Sequence, residues 1–305
     1  MWRVVDISEN GRMLSLSRGS LTVASDGLEV GRVPLKDIQC VLVHGHGTSM
    51  SLSLAAALAD EGIPLVMCGR DHFPRAISLP VSGNFEQAAR LSGQASLPLP
   101  KRKQFWRRVV QAKISSQART LEYAGHRDHT ALKKMVKSVR SGDPENVEAR
   151  AARYYWRRLL GEEFRRDVAA EGLNSHLNYG YTVVRAAMAR AVVGAGLAPG
   201  LGLHHRSRLN AFQLVDDLME PFRCLVDQCV WRNRGNWTAG VMADAKAELA
   251  DVINFSIPTR PGSGSVSRTM SALALSLAEI CTGTKNELEF PQDWIGQDQR
   301  EFDLD

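Results

Sequence analysis

The sequence predicts an α+β protein, in which a small β-sandwich-like N-terminal domain with one helix precedes a larger, all-helical C-terminal domain. Up to about position 80, apolar residues come in short bursts between turn residues, which is typical of strands. From 101 to 290 they recur at spacings of three and four, which is typical of amphipathic helices. A Ser-, Gly- and Pro-rich segment, 81–100, predicts a linker between the domains, and the acidic residues 291–305 predict a loose tail.

The N-terminal bursts define the predicted strands in order. They are WRVVDI, RMLSL, SLTV, LEVGRVPL and IQCVLV, and IPLVMC follows at 63–68. Residues 51–60 (SLSLAAALAD) have a helix-forming composition, and Gly62 closes this segment. The first 80 residues are therefore predicted to form a sheet domain that carries one helix.

In the C-terminal half, helical spacing of apolar residues covers five stretches. Gly- and Pro-rich clusters at 194–202 and 258–264 separate some of them, because both residue types interrupt helices. The predicted helices are 105–123, 146–160, 173–193, 215–232 and 267–280.

Composition predicts a cytoplasmic protein. The 305 residues are 44% hydrophobic, which is enough for one large core or two ordinary ones. Five cysteines occur without a C-x-x-C pair and mostly within apolar runs, which predicts reduced, buried thiols. The first residues have no apolar signal core, and no stretch approaches the roughly 20 apolar residues of a membrane span.

One segment is strongly basic although the whole chain carries only +5. No acidic residue occurs between Glu86 and Glu122, and Lys and Arg gather there around Phe105 and Trp106. On a helix, part of this set would share one side and could follow DNA phosphates, and the alternative is a solvated helix face. The basic residues are Arg90, Lys101, Arg102, Lys103, Arg107, Arg108, Lys113 and Arg119.

Acidic residues and histidines gather between 200 and 227. Asp216 and Asp217 lie four and three residues before Glu220, so a helix would place their Cβ atoms about 5–6 Å from that of Glu220. Such carboxylates repel each other unless a cation lies between them, and either Arg223 or a divalent metal could serve. His204 and His205 follow a Gly-rich approach, and the spacing leaves open which of them would bind a metal. One His with two or three carboxylates favours magnesium or manganese over structural zinc.

Two further groups of polar residues are candidates. Glu148 shares a predicted helical face with apolar residues such as Ala151 and Tyr155, so it either reaches solvent or binds a partner. Four residues of the 173–193 helix could hydrogen-bond DNA or orient ligands, although buried structural hydrogen bonds are the more common role of such residues. They are Asn174, Asn178, Tyr179 and Tyr181.

The order and spacing of several sequence blocks resemble the CRISPR-associated integrases of the Cas1 family, in the variety that accompanies type II systems. The blocks are GIPLVMCGRDHFP (62–74), KRKQFWRRVVQAKISSQARTL (101–121), VEARAARYYW (147–156), the segment 173–205 ending in GLGLHH, and LVDDLMEPFR (214–223). The resemblance implies that Glu148, His205 and Glu220 are the catalytic metal ligands, with Asp217 assisting them. One departure is Gly69, where type II relatives more often carry an acid.

The resemblance also implies a function. The chain would use Mg²⁺ or Mn²⁺ to insert short double-stranded DNA fragments into a repeat array, by attack of a 3′-hydroxyl on a phosphodiester, and would also cleave DNA. Its implied partners are a second copy of the chain, a Cas2 dimer, the Cas9 effector and a ring-shaped DNA-end-binding protein. The predicted DNA contacts are Lys101, Arg102, Lys103, Arg107, Arg108 and Lys113, with Arg165 and Arg166 as weaker candidates.

Two other functions compete with this one. A non-catalytic DNA-binding protein would use the carboxylates only to neutralise Arg206, Arg208 and Arg223. A plain metal-dependent nuclease would degrade DNA without joining it.

Overall fold

The computed structural model describes residues 3–69, 74–81, 84–205, 207, 209–237, 240–259 and 262–291. The chain divides into two compact units, Met1–Phe85 and Glu86–Asp305. Strands dominate the first unit and helices the second, which confirms the predicted α+β class. Most of the predicted tail lies outside the described residues.

The first unit contains two four-stranded sheets. In one sheet the order is β1-β5-β7-β8, with β1, β5 and β7 parallel and β8 antiparallel to β7. The other has the order β4-β3-β2-β6, with antiparallel pairs except for the short parallel pair of β2 and β6. The strands are β1 (Arg3–Ile7), β2 (Met13–Ser17), β3 (Ser20–Ser25), β4 (Leu28–Pro34), β5 (Ile38–Val43), β6 (Ser49–Met50), β7 (Leu65–Cys68) and β8 (Pro74–Ser78).

The predicted helix of the first unit is α1 (Leu52–Asp60). The side chain of Ser51 accepts a hydrogen bond from the Leu54 amide, which caps the first turn. Leu54 and Leu58, four residues apart on one face, are buried in the same core as Leu14 and Leu21 of the sheet. Helical spacing in this helix therefore matches the face that it buries.

Helices make up most of the second unit, but it is not all-helical as predicted. The short hairpin of β9 (Ser256–Thr259) and β10 (Gly262–Ser265) was missed, because its Ser-, Pro- and Gly-rich sequence lacks the alternation that marks a strand. The helices are α2 (Gln87–Ala95), α3 (Leu99–Tyr123), α4 (His129–Ser138), α5 (Val147–Leu160), α6 (Leu173–Gly194), α7 (Gln213–Met219), α8 (Arg223–Asn233), α9 (Ala243–Asp251) and α10 (Val266–Cys281).

Two long helices organise the second unit. Most of α6 is buried, and it packs against α7, α8, α9 and α10. Helix α3 packs against α4, α5 and α8 and against a 3₁₀ turn at Glu220–Phe222. One side of α3 is apolar and buried, including Phe105, Trp106 and Val109. Its other side is left for the basic residues, as the sequence predicted.

The predicted helix 215–232 is interrupted. Helix α7 ends at Met219, the turn Glu220–Phe222 follows, and α8 begins at Arg223. Pro221 explains the interruption because it has no N–H to donate to a carbonyl in the preceding turn. Glu220 consequently lies at a break between two helices and not on the continuous face assumed from its spacing.

The predicted linker 81–100 is wrong over most of its length, since it contains α2 and the start of α3. Two polar side chains of α2 are buried and bind backbone carbonyls. Arg90 donates to Ala195 O at 3.0 Å, and Gln94 donates to Ala198 O and Leu201 O, each at 3.0 Å. Because this helix docks through hydrogen bonds, apolar spacing did not reveal it.

Two compositional predictions can be compared with the structure. None of the five cysteines forms a disulfide bond, as predicted, and Cys40, Cys224 and Cys229 are buried, whereas Cys68 and Cys281 are half-buried. Among the described residues, no helix has the length and apolar character needed to cross a membrane.

Candidate active site

Three separate elements bring the predicted ligands to one region of the second unit. Glu148 lies in the first turn of α5, His205 in the loop before α7, and Glu220 at the break after α7. The start of α5 is fixed by Asp143, whose carboxylate accepts hydrogen bonds from the amides of Val147 (2.9 Å) and Glu148 (3.0 Å). This cap sets the direction in which the Glu148 side chain leaves the helix.

A lysine from α3 lies between the two glutamates. The ammonium of Lys113 donates a hydrogen bond to Glu148 Oε1 at 2.6 Å and lies 2.6 Å from Glu220 Oε2. The Arg223 guanidinium is 3.1 Å from the other oxygen of Glu220. The exposed fractions of the Lys113, Glu148 and Glu220 side chains are only 15%, 20% and 8%. Two carboxylates and two cations therefore form a mostly buried cluster.

Burial and charge act in opposite directions on these groups. Burial disfavours the charged form of Glu220, but Arg223 and Lys113 outweigh it and lower the pKa of the carboxyl. Burial likewise opposes the charge on Lys113, and the two glutamates overcome it and raise the pKa of the ammonium. Lys113 and Glu220 are therefore both ionised at neutral pH, and Glu220 is available as an anionic ligand.

The two histidines have different contacts. The His204 ring stacks on Trp106, with centroids 4.4 Å apart, and burial lowers its pKa. His205 binds the Asp217 carboxylate through Nδ1, and this hydrogen bond raises its pKa against the opposing effect of burial. With Nδ1 engaged, Nε2 is the nitrogen of His205 left to bind a metal.

Asp217 holds the histidine loop in place. Its Oδ2 accepts hydrogen bonds from the amides of Leu203 (2.7 Å) and His204 (3.0 Å), while Oδ1 binds His205, and the residue is fully buried. The loop approaches α7 so closely at Gly202 that a Cβ there would lie 3.0 Å from Asp217 Oδ2. The Gly-rich approach is thus explained by packing space.

The predicted acidic cluster separates into three sets of partners. Asp216 does not join the ligands but forms a two-point ion pair with Arg185, at 2.6 and 2.9 Å, and accepts a hydrogen bond from Asn210. As the side chains stand, no three His, Cys, Asp or Glu residues in the described part of the chain are placed to hold a metal. The Lys113 ammonium lies in the space between the glutamates that a shared cation would need.

The residues nevertheless fit a divalent metal in their chemistry. Glu220 Oε2 is buried and accepts no hydrogen bond among the described residues, although an ammonium lies beside it. His205 Nε2 and the Glu148 carboxylate supply a nitrogen and a further hard oxygen donor. Two carboxylates and one imidazole suit magnesium or manganese.

The predicted DNA contacts divide by their exposure. Lys101, Lys103, Arg107 and Arg108 are exposed on α3, whereas Arg102 is half-buried beside a small cavity. Lys113 belongs to the glutamate cluster, and the Arg165 guanidinium is bound to the carbonyls of Glu162 and Phe164.

Arg166, another predicted DNA contact, has a structural role in this fold. Its guanidinium donates to Asn174 at 2.9 Å and to Asn178 at 2.6 Å, and it lies over the Tyr181 ring. These contacts agree with the structural alternative for Asn174 and Asn178. The predicted DNA contact at Arg166 would require these bonds to open.

Sequence reasoning missed three basic or polar features near the site. Lys137 in the last turn of α4 and Arg140 just beyond it line a shallow cavity of about 390 Å³ together with Arg107 and Glu145. The stacking of Trp106 on His204 was also missed, as was the position of Lys113 between the glutamates. Each joins residues far apart in the chain, so no local spacing could have revealed it.

A buried carboxylate, Asp227, lies behind the site. It accepts hydrogen bonds from the hydroxyls of Tyr155, at 2.9 Å, and Tyr181. The Tyr181 ring contacts the Arg223 guanidinium, which in turn pairs with Glu220. Burial raises the pKa of Asp227 to about 6, against the lowering effect of the two tyrosine hydrogen bonds.

This raised pKa predicts a pH-dependent contribution to stability. The folded chain keeps the Asp227 proton up to about pH 6, whereas the unfolded chain releases it near the ordinary value of 3.8. The stabilisation is therefore complete below the unfolded pKa and is lost as pH rises through the folded one. We expect the free energy of unfolding of the wild type, relative to Asp227→Asn, to fall by about 1–3 kcal/mol between pH 4 and 6. Urea unfolding at several pH values would measure this difference. A difference that does not change with pH would contradict the raised pKa of Asp227.

Comparison with known proteins places the chain among relatives of one kind. Residues 5–246 match the family model described as CRISPR associated protein Cas1. A CRISPR-associated endonuclease Cas1 from Neisseria meningitidis serogroup C (strain 8013) is 37% identical over 260 residues, covering 84% of each protein.

Solved structures share the fold at lower identity. A casposase bound to integration product superposes with a TM-score of 0.80 at 19% identity, covering 99% of this chain and 97% of that one. A chain of a Cas6-RT-Cas1–Cas2 complex superposes with a TM-score of 0.74 at 16% identity, covering 95% of this chain and 36% of that one.

Proposed function

Because the chain belongs to the family of CRISPR-associated Cas1 proteins, we propose that it is a metal-dependent DNA integrase and endonuclease. In this proposal it inserts short double-stranded DNA fragments into a CRISPR repeat array, as the variety that serves type II systems. The reaction is a transesterification, in which a fragment's 3′-hydroxyl replaces one ester oxygen of a repeat phosphodiester. One phosphodiester bond forms for each one that breaks, so the reaction needs no energy from nucleotide hydrolysis.

The buried cluster of Glu148, Lys113 and Glu220 beside His205 carries the proposal. The Lys113 ammonium lies 2.6 Å from an oxygen of each glutamate, so the two acids surround a space that fits one cation. Buried ion pairs are costly to desolvate and contribute little net stability, so this cluster supports a role in chemistry. The half-exposed His205 side chain, at 46%, leaves this cluster open to a substrate on one side.

The chain's residues have distinct roles in this mechanism. Glu148, His205 and Glu220 would hold Mg²⁺ or Mn²⁺, which supplies Lewis-acid stabilisation of the charge that develops on the phosphate. Asp217 orients His205 through Nδ1 and anchors the loop through two backbone amides. Arg223 keeps Glu220 ionised, and the Tyr181 ring limits the movement of that guanidinium. Water in place of the 3′-hydroxyl would give cleavage.

Exposed basic residues would position the DNA. Lys101, Lys103, Arg107 and Arg108 lie on α3, the helix that also supplies Lys113, so phosphates bound there would lead toward the acidic cluster. The cavity formed by Arg107, Lys137 and Arg140 would extend this surface.

Partners are part of the proposal. A double-stranded DNA substrate fits the likeness to a casposase bound to integration product, and a Cas2 partner fits the likeness to a Cas1–Cas2 complex. We further propose a homodimer flanking a Cas2 dimer, with Cas9 and a DNA-end-binding protein taking part in fragment acquisition. These last partners rest on the family resemblance alone.

The first alternative, a non-catalytic DNA-binding protein, is less well supported. Arg206 and Arg208 lie outside the described residues, and Arg223 pairs with Glu220 as this alternative expects. A protein that only binds DNA has no need to bury Glu148 and Glu220 around Lys113. A plain nuclease would use the same site, so only the products of the reaction separate it from an integrase.

A joining assay tests the function. A short duplex with free 3′-hydroxyls and a supercoiled plasmid with the cognate repeat would be incubated with the chain and Cas2. We expect joined product with Mn²⁺ or Mg²⁺, none with EDTA, and recovery when metal is restored, because the carboxylates alone cannot stabilise added negative charge.

Each other outcome has a defined meaning. Cleavage without joining, with Cas2 and the repeat present, would favour the plain nuclease. Undiminished joining in EDTA would exclude a metal-dependent mechanism. DNA binding without joining or cleavage at any metal concentration would support the non-catalytic DNA-binding protein.

A further inference from the structure

We propose that Lys113 is an internal cation that holds the metal ligands together before metal binds, and that a divalent cation must displace it. This inference rests on the proposed function, because it concerns how the same site is loaded. It assigns to Lys113 a role in controlling metal affinity, in place of the DNA contact expected from its basic neighbours.

The position of the ammonium is the first observation. Lys113 Nζ is 2.6 Å from an oxygen of each glutamate, and its side chain is 15% exposed, far less than those of the basic residues on the opposite side of α3. Helix α3 packs against both α5, which carries Glu148, and the turn that carries Glu220. The lysine is therefore built into the site by the packing of α3.

The bonding of the ammonium shows why it can be exchanged. It donates a hydrogen bond to Glu148, whereas its equally short contact with Glu220 Oε2 is poorly aligned for a hydrogen bond. Lys113 thus neutralises Glu220 as a point charge without satisfying that oxygen. A divalent cation offers the oxygen a direct bond and twice the charge.

Charge makes the two cations mutually exclusive. With Arg223 beside it, Glu220 already faces two positive groups when Lys113 is in place. Adding a divalent cation between the same carboxylates would bring it close to the ammonium in a poorly solvated place, where repulsion is strong. The flexible lysine stem lets the ammonium leave while α3 stays packed.

Metal binding should therefore be an exchange, and removing the lysine should strengthen it. Without the competing ammonium, Lys113→Met should bind Mn²⁺ roughly tenfold or more tightly. The same change leaves two buried carboxylates with too little positive charge, so the metal-free protein should unfold at a lower temperature. Mn²⁺ should restore more of that loss than it adds to the wild type.

Isothermal titration with Mn²⁺ and thermal unfolding with and without it would measure both effects in full-length protein. Lys113→Arg should keep an affinity near that of the wild type, because the cation is retained. Lys134→Met is the matched control, since Lys134 is exposed on α4 and its loss changes the net charge equally. Weaker Mn²⁺ binding by Lys113→Met, or equal tightening in Lys134→Met, would overturn the proposal.

A measurement on the wild type does not depend on any variant folding. Reductive methylation followed by peptide mass spectrometry reports the accessibility of each lysine amine. We expect Lys113 to be protected in EDTA and to become several times more reactive with saturating Mn²⁺, while Lys134 stays reactive in both. Measured Mn²⁺ binding with Lys113 still protected would overturn the exchange and leave the proposed function intact, whereas binding of neither Mn²⁺ nor Mg²⁺ would overturn both.

Discussion

Glu220→Gln and His205→Ala should each lower DNA joining by roughly a thousandfold or more while duplex binding is retained. Glutamine keeps the shape of Glu220 but removes the anionic charge that Arg223 and Lys113 maintain through its lowered pKa. Alanine removes the only nitrogen donor of the ligand set. Since neither residue belongs to the exposed basic residues of α3, affinity for DNA should change little. Joined products on gels and fluorescence anisotropy of a labelled duplex would measure the two properties.

Glu163→Gln is the matched control for the charge change. Glu163 is exposed in the segment after α5, and the same substitution there should leave joining within about twofold. Circular dichroism and thermal unfolding would verify that each variant is folded. Joining at wild-type rates by a folded Glu220→Gln or His205→Ala protein would mean that the metal ligands are assigned wrongly.

Asp217→Asn should lower joining by roughly a hundredfold although no predicted ligand is removed. In the wild type, one Asp217 oxygen accepts hydrogen bonds from two backbone amides, and the other oxygen binds His205 Nδ1. An asparagine has only one oxygen. If that oxygen still accepts the hydrogen bonds of the two amides, the NH₂ group of the asparagine faces His205 Nδ1. Nδ1 must then accept a hydrogen bond. The proton moves to Nε2, and the histidine can no longer bind a metal.

The neighbouring Asp216→Asn is a control one residue away. Asp216 binds Arg185 and Asn210, whereas the amides of Leu203 and His204 and the His205 ring all bind Asp217, so Asp216→Asn should change joining only a few-fold. The two variants can be compared by Mn²⁺ titration as well as by joining. Equal losses in both would show that general weakening of α7, and not the tautomer of His205, controls activity.

Much of the fold followed from local patterns in the sequence. The bursts before position 80 became strands, and apolar spacing located α5, α6 and α10 closely and the C-terminal end of α3, whereas α3 begins earlier than predicted, at Leu99. Helices α4 and α9 were not predicted either, and two of the failures share one cause. Helix α2 docks through Arg90 and Gln94, and the hairpin of β9 and β10 lacks apolar alternation, so neither has the signal that marks a buried face.

For the site, local spacing identified the carboxylates but not their partners. The assumption of one helical face for Asp216, Asp217 and Glu220 failed because Pro221 breaks the helix and each acid binds a different group. Lys113 was grouped with the basic residues around it because charge in a sequence does not show burial. Its pairing with Glu148 joins positions 35 residues apart, which only the packing of α3 on α5 determines.

Helix α2 anchors the backbone that precedes His205, so any fragment that retains a working site must include this helix. Gln94 donates to the carbonyls of Ala198 and Leu201 and accepts from the Ala198 amide, and this stretch of backbone leads directly to His205. A fragment cut at the apparent linker, beginning at 101, would keep every metal ligand and lose the helix that positions one of them. Dissection of the protein into separately produced halves should therefore cut before Glu86, where the second compact unit begins.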